Sequence, residues 1–276
     1  MKLLSYLKIL RPFNCLIVVL STLFGAFWFA ESIHPIMPFL AVISATLIAG
    51  GGYVINDVFD IDIDKINRPK RPLPSGIISS LEAKRYAILL FIVGIIISIF
   101  LKNLGMFILA LCNSLLLYFY AYKGKKVGFV GNLIVSFVTA STFLYGGLSN
   151  NNLQNSFFCF GLALFYTLIR ELVKDLEDIE GDKISNSETI PIIFGQKLTI
   201  ELAFLFLFFL TILTISGFNI FYKIQIFIPV IIFVNTYLLI NLIILTLKMN
   251  KKAAKYSEKI MKYDMVVFLI LLWIGQ

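Results

Sequence analysis

IMPFLAVISATLIAGGGYVINDVFDIDIDKI, residues 36–66, begins with about twenty mostly apolar residues and ends with aspartates at 57, 60, 62 and 64. The first part has the length of a bilayer crossing, because a hydrocarbon core about 30 Å thick asks for roughly 20 apolar residues of helix. The second part is electrostatically odd. A helix C-terminus carries partial negative charge, so clustered carboxylates there repel the dipole and one another. Something cationic has to compensate for them.

The rest of the chain repeats the apolar pattern. Of 276 residues, 59% are hydrophobic and 14% charged, and the mean hydropathy is +0.91. A soluble domain carries about 25% charged residues, so soluble folds are set aside in favour of an all-α polytopic membrane protein. Nine candidate spans follow: Pro12 to Ala30, Ile36 to Asn56, Tyr86 to Leu101, Leu104 to Ala121, Phe129 to Leu148, Leu153 to Ile169, Leu198 to Ser216, Ile224 to Leu247, and the shorter Tyr263 to Gln276. Lys2, Lys8 and Arg11 precede a long apolar run with no small-residue cleavage site, so no cleavable signal peptide is expected. Cys15, Cys112 and Cys159 all lie in apolar segments and read as buried thiols, not a disulfide framework.

Basic residues orient the chain. With a cytoplasmic N-terminus, the inside segments hold 22 of the 24 lysines and arginines, leaving only Lys102 and Lys223 outside. The positive-inside rule favours that arrangement, with the C-terminus outside. The net charge of +8 then reflects topology, anionic lipid headgroups and an anionic substrate, and not nucleic acid. Glu31 is the one acidic residue on the outer side, and His34, also there, reads as incidental.

The acidic stretch has an echo. DVFDIDIDKI at 57–66 and DLEDIEGDKI at 175–184 both read D-x-x-D-I-[D/E]-x-D-K-I, 118 residues apart. Each follows a span running from outside to inside, so both emerge on one side, as a parallel repeat of two weak halves within a single domain, 1–276, would place them. Asp57, Asp60 and Asp64 lie at i, i+3 and i+7, one helical face, and Asp175, Asp178 and Asp182 do the same. Asp62 and Glu180 point elsewhere, while Asn56 adds an amide oxygen. A solvated loop accounts for one such cluster but not for two that match. Oxygen-only ligands suit Mg²⁺, Mn²⁺ or Ca²⁺, and two half-sites can hold two ions around one diphosphate. A calcium loop is rejected, because Lys65 stands where its glycine belongs and Arg71 where its last glutamate belongs.

After the first cluster comes NRPKRPLPSG, residues 67–76, whose three prolines deny it regular helix. It holds Arg68 and Arg71 near the carboxylates, and arginine grips phosphate oxygens bidentately. Arg11, Lys123, Lys125, Lys126, Arg170 and Lys174 are further basic candidates, although topology alone also places lysine and arginine there. Tyr118, Tyr120 and Tyr122 either form an interfacial belt or line the site.

Asn56-Asp57-x-x-Asp60-x-x-x-Asp64, NRPKRPLPSG, DLEDIEGD and TIPIIFG at 189–195, with RPFN at 11–14 and YAYKGKK at 120–126, resemble the UbiA superfamily of intramembrane prenyltransferases. The resemblance implies nine transmembrane helices around a central cavity. It implies Mg²⁺-dependent transfer of a prenyl group from its diphosphate to a lipophilic acceptor in the membrane. Asn56, Asp57, Asp60 and Asp64 match the first acidic motif and Asp175, Asp178 and Asp182 the second, as metal ligands. Asp60, Asp64, Asp178 and Asp182 are then the catalytic choices. Arg68, Arg71, Arg11, Lys174, Tyr122 and either Lys125 or Lys126 are the phosphate contacts. RPFNC and the 56–76 stretch are most similar to the ether-lipid branch, which implies a geranylgeranyl donor and the hydroxyl of geranylgeranylglyceryl phosphate as acceptor. An aromatic quinone precursor is the alternative acceptor. Metal and arginine would stabilise the leaving diphosphate, and some of the 41 aromatic residues would shield an allylic cation.

Two rivals from other classes are weaker. A secondary transporter places its site near the midplane, whereas these acids cluster at one edge. A CDP-alcohol phosphotransferase needs a D-G-x-x-A-R core, which is absent.

Overall fold

Arg11 breaks the first apolar stretch. It lies in the left-handed region at φ 53, with Pro12 following as the first helical residue, where its missing N–H is no loss. The result is α1 (Lys2–Ile9) bent by 49° from α2 (Pro12–Phe27). The computed structural model describes residues 2–31, 34–124, 127–184, 187–221 and 227–274. Lys125, Lys126, the first residues of the expected eighth span and the last two of the ninth lie outside the described residues.

The remaining helices are α3 (Ile36–Phe59), α4 (Ile61–Asn67), α5 (Ser80–Phe100), α6 (Leu104–Tyr122), α7 (Gly128–Ser149), α8 (Leu153–Ile184), α9 (Ile190–Ile193), α10 (Gly195–Phe221), α11 (Phe227–Lys248) and α12 (Lys251–Ile274). No strand occurs among the described residues. Six helices are long and apolar enough to cross a membrane, or seven if α1 and α2 form one broken span. The described apolar part of α11 is shorter, Ile232–Lys248. α12 carries Lys251, Lys252, Lys255, Glu258, Lys259, Lys262 and Asp264 between its start and residue 264. The chain is therefore an all-helical integral membrane protein with at least six candidate spans among the described residues. Of the three thiols expected to be buried, only Cys159 is; Cys15 is half-buried and Cys112 is exposed on α6, because an apolar face turned to lipid asks for no protein partner.

The chain divides into two compact units, residues 1–123 with 141–156, and residues 124–140 with 157–276. It passes between them just before α7, within α7 and within α8. In the first unit α3 packs against α2, α5 and α6. Their core includes Ile48, Val54, Ile55, Ala87 and Met106, and the loop after α4 joins it through Leu73 and Ile78. α5 starts at a capping box in which Ser79 and Glu82 satisfy each other's backbone N–H. α2 and α7 touch backbone to backbone. A Cβ on Gly146 would lie 1.9 Å from the Thr22 carbonyl oxygen, and one on Gly25 2.0 Å from that of Phe143. Small residues at such a seam let membrane helices approach closely. Beyond it, the Asn150, Asn152 and Asn155 side-chain amides donate to carbonyls of Ala26, Gly25, Trp28 and Phe29, closing the end of α2.

In the second unit α10 packs against α9 and α11, and α11 against α12. Phe165 on α8 lies 6.3 Å from Phe206 and 5.8 Å from Phe209, both on α10, between ring centroids. The Tyr166 hydroxyl donates to the Met261 carbonyl at 2.7 Å, tying α8 to α12.

Candidate active site

The first acidic cluster sits where α3 passes into α4. Asp60 marks the junction, at φ −88 and ψ 4, so the stretch is not one unbroken helix as its spacing predicts. The i to i−4 bonds nevertheless continue through it, from Asp60 N to Asn56 O and from Asp64 N to Asp60 O. That continuity keeps Asp57 and Asp64 two turns apart on a shared side.

Both carboxylates are buried, with side chains 7% and 8% exposed, and they share one cation. Arg71 Nη1 lies 2.6 Å from Asp64 Oδ2 and 3.3 Å from Asp57 Oδ1. Arg11 Nη2 also donates to Asp57 Oδ1, and the Arg11 guanidinium carbon stands 5.5 Å from the Tyr53 ring centre. Asn56 Nδ2 donates to Asp60 Oδ2 at 2.8 Å. Asp62 is exposed and pairs with Lys65 at 2.8 Å. Arg68 is exposed at the start of the loop, whereas Leu73 and Ile78 bury the loop beyond Arg71 and turn that arginine inward. The Tyr122 ring packs 5.6 Å from that of Phe59, beside the cluster, and Lys123 lies over it at 5.6 Å.

The second cluster is carried by α8, which continues from its apolar part to Ile184. Asp175 is buried, and its Oδ2 accepts from Asn132 Nδ2 on α7 at 2.8 Å. Asp178 is exposed and Asp182 half-buried, its carbonyl accepting from Ser187 N at 2.9 Å. Glu180 is exposed and meets Lys251 at 2.5 Å. One turn before Asp175 lies Glu171, whose side chain is 3% exposed. Arg170 reaches it at 2.5 Å and Lys174 at 3.0 Å, and Arg170 is also 3.8 Å from Glu258 on α12.

Arg11, Arg71 and Lys174 are expected on a phosphate, yet here each is engaged by a carboxylate of its own unit. Buried carboxylates are costly unless paired, and these cations are the partners within reach. Four residues of these networks are not singled out by the sequence reading. Glu171 is legible there, because it precedes Asp175 by four and shares its helical face. Tyr53, Asn132 and Glu258 carry no local signal.

The donor set fits a hard divalent cation, since these faces offer carboxylate and amide oxygens. Among the described residues no three carboxylates converge on one point. Mg²⁺ asks for less, usually one or two carboxylates with water and substrate phosphate completing its shell.

Comparison with known proteins agrees with this chemistry. The UbiA prenyltransferase family matches residues 18–266. The digeranylgeranylglyceryl phosphate synthase of Methanococcus maripaludis is 37% identical over 278 aligned residues, covering 98% of this chain and 97% of that protein. The enzyme of the same name from Sulfolobus acidocaldarius is 42% identical over 227 residues, 80% of this chain and 82% of its own. A solved structure concerning digeranylgeranylglyceryl phosphate synthase in membranes superposes with a TM-score of 0.84 at 33% identity, covering 99% and 98% of the two chains. A UbiA homologue from Archaeoglobus fulgidus bound to GPP and Mg²⁺ shares the fold, with a TM-score of 0.75 at 18% identity, covering 97% and 99%. With the family matched over most of its length, this chain belongs to the UbiA prenyltransferase family.

Proposed function

We propose that this prenyltransferase moves a geranylgeranyl group from its diphosphate to the hydroxyl of geranylgeranylglyceryl phosphate, in the synthesis of archaeal ether lipids. The observation that carries the reading is the 37% identity across 97% of a relative named digeranylgeranylglyceryl phosphate synthase. In the reaction the allylic C1–O bond breaks and its electron pair leaves with the diphosphate. The acceptor oxygen then bonds to C1 and gives up its proton to the released diphosphate. Arg68 and Arg71 grip the leaving diphosphate, with Arg11, Lys174, Tyr122 and Lys125 or Lys126 as further phosphate contacts. Asn56, Asp57, Asp60 and Asp64, and separately Asp175, Asp178 and Asp182, supply the oxygens for Mg²⁺. Bound Mg²⁺ supplies charge neutralisation for the departing diphosphate.

The same reading takes the chain as a single domain of nine transmembrane helices, with the N-terminus and both acidic clusters cytoplasmic and the C-terminus outside. The test incubates purified, reconstituted protein and Mg²⁺ with a panel of prenyl diphosphates, geranylgeranylglyceryl phosphate competing with aromatic acids as acceptor. Mass spectrometry is expected to find the digeranylgeranyl ether, and a prenylated aromatic acid alone would move the enzyme to quinone chemistry. Asp60→Ala and Asp178→Ala are expected to abolish turnover while the protein stays folded. Wild-type turnover in either variant would sink the assignment of the clusters.

A further inference from the structure

We propose that Asn132 is a positioning residue of the prenyl-transfer site, holding Asp175 so that its second carboxylate oxygen stays available to a divalent cation. The inference rests on the reading that the second acidic cluster binds metal.

Asn132 lies one turn inside the start of α7, where Gly128 adopts φ +40 and its missing Cβ leaves room for the Glu188 carbonyl, 2.8 Å from where that atom would be. That close approach is within the second unit and sets the level of the α7 start. Both side chains are buried, Asn132 at 6% and Asp175 at 9% exposure. The amide bonds Oδ2. Among the described residues no second donor reaches the Asp175 carboxylate.

The first cluster is built differently. There Asp57 and Asp64 meet guanidinium groups, which cancel their charge. An amide fixes a carboxylate's orientation without cancelling its charge. A carboxylate oxygen held in a fixed orientation is what a metal ligand needs, and outer-shell partners of ligands commonly supply it. A bond made only to join α7 and α8 would place no such demand on Asp175, and its loss would leave cation binding alone.

The test measures Mn²⁺ binding by electron paramagnetic resonance on full-length protein in detergent, without prenyl diphosphate. Asn132→Leu and Asn132→Ala remove the donor, the second without added bulk, so it carries the test if leucine unfolds the protein. Expected is roughly a 10–100-fold weaker Mn²⁺ affinity, the usual loss for an outer-shell partner. The KM for Mg²⁺ should rise while kcat at saturating Mg²⁺ is retained. In an Asp175→Asn background the same substitutions should cost nothing further. A folded variant that binds Mn²⁺ like wild type overturns the inference, even if its Tm falls. An undiminished loss in the Asp175→Asn background overturns it too. Wild-type protein that binds no Mn²⁺ overturns the metal reading itself, whereas wild-type binding with unaffected variants overturns only the role of Asn132.

Discussion

The Nη1 atom of Arg71 contacts both Asp64, at 2.6 Å, and Asp57, at 3.3 Å, so one nitrogen compensates two buried carboxylates. Without it, Asp57 keeps Arg11 but Asp64 loses this cation. Removing one partner of a buried pair costs about 3–5 kcal/mol, and less here because the Arg71 side chain is 25% exposed. Arg71→Ala is therefore expected to lower the Tm of the solubilised protein and to abolish turnover. Arg71→Lys separates two roles. An ammonium at the same point can meet both aspartates, but it lacks the planar fork that grips phosphate. Its Tm should stay near wild type while the KM for the prenyl diphosphate rises, measured by thermal unfolding and steady-state kinetics. A lysine variant with the wild-type KM would show that the fork is not used on the donor. The proline-rich loop made Arg68 and Arg71 legible as a pair. Which one turns inward was not legible, because burial of Leu73 and Ile78 decides it, and neither does the sequence reveal that Arg11 reaches Asp57 from 46 residues away.

Helix ends diverge from the apolar runs for a physical reason. Hydropathy marks what lipid tolerates, while backbone hydrogen bonding continues wherever the ladder is uninterrupted. The run ending at Asn56 continues as helix to Phe59, and the one ending at Ile169 continues to Ile184, carrying the whole second motif on α8. The second motif thus lies on one continuous helix, whereas the first is interrupted at Asp60. The α2–α7 seam was silent in the sequence, since nothing local says which glycine faces a backbone. Its tightness makes a prediction. A methyl on Gly146 would meet the Thr22 carbonyl oxygen at 1.9 Å, and a backbone atom cannot swing aside as a side chain can. Overpacking of this kind costs about 1–3 kcal/mol. Gly146→Ala should accordingly lower the Tm in detergent by several degrees, whereas Gly181→Ala, with nothing within 4 Å, should not. Equal Tm values for the two would mean that the seam relaxes without cost.

At the scale of the molecule, charge carries the information that helix geometry does not. Cytoplasmic placement of the N-terminus gathers 22 of 24 basic residues on one side, and the reverse placement would carry them across the membrane. Lysine and arginine near span ends resist translocation, so this asymmetry predicts sidedness directly. One of the two exceptions makes the test sharp. Lys102 is exposed between α5 and α6, and Arg68, one of the majority, is exposed in the loop after α4. They lie at opposite ends of α5 and so, in this topology, on opposite sides of the bilayer. The background replaces Cys15, Cys112 and Cys159, which form no disulfide, by serine or alanine. In intact cells, Lys102→Cys should react with a membrane-impermeant maleimide and Arg68→Cys should not. After lysis both should label. The opposite pattern would put the acidic clusters outside, away from a cytoplasmic supply of prenyl diphosphate. Labelling of both in intact cells would mean that α5 does not cross the membrane, and the spans would have to be reassigned from α3 onward.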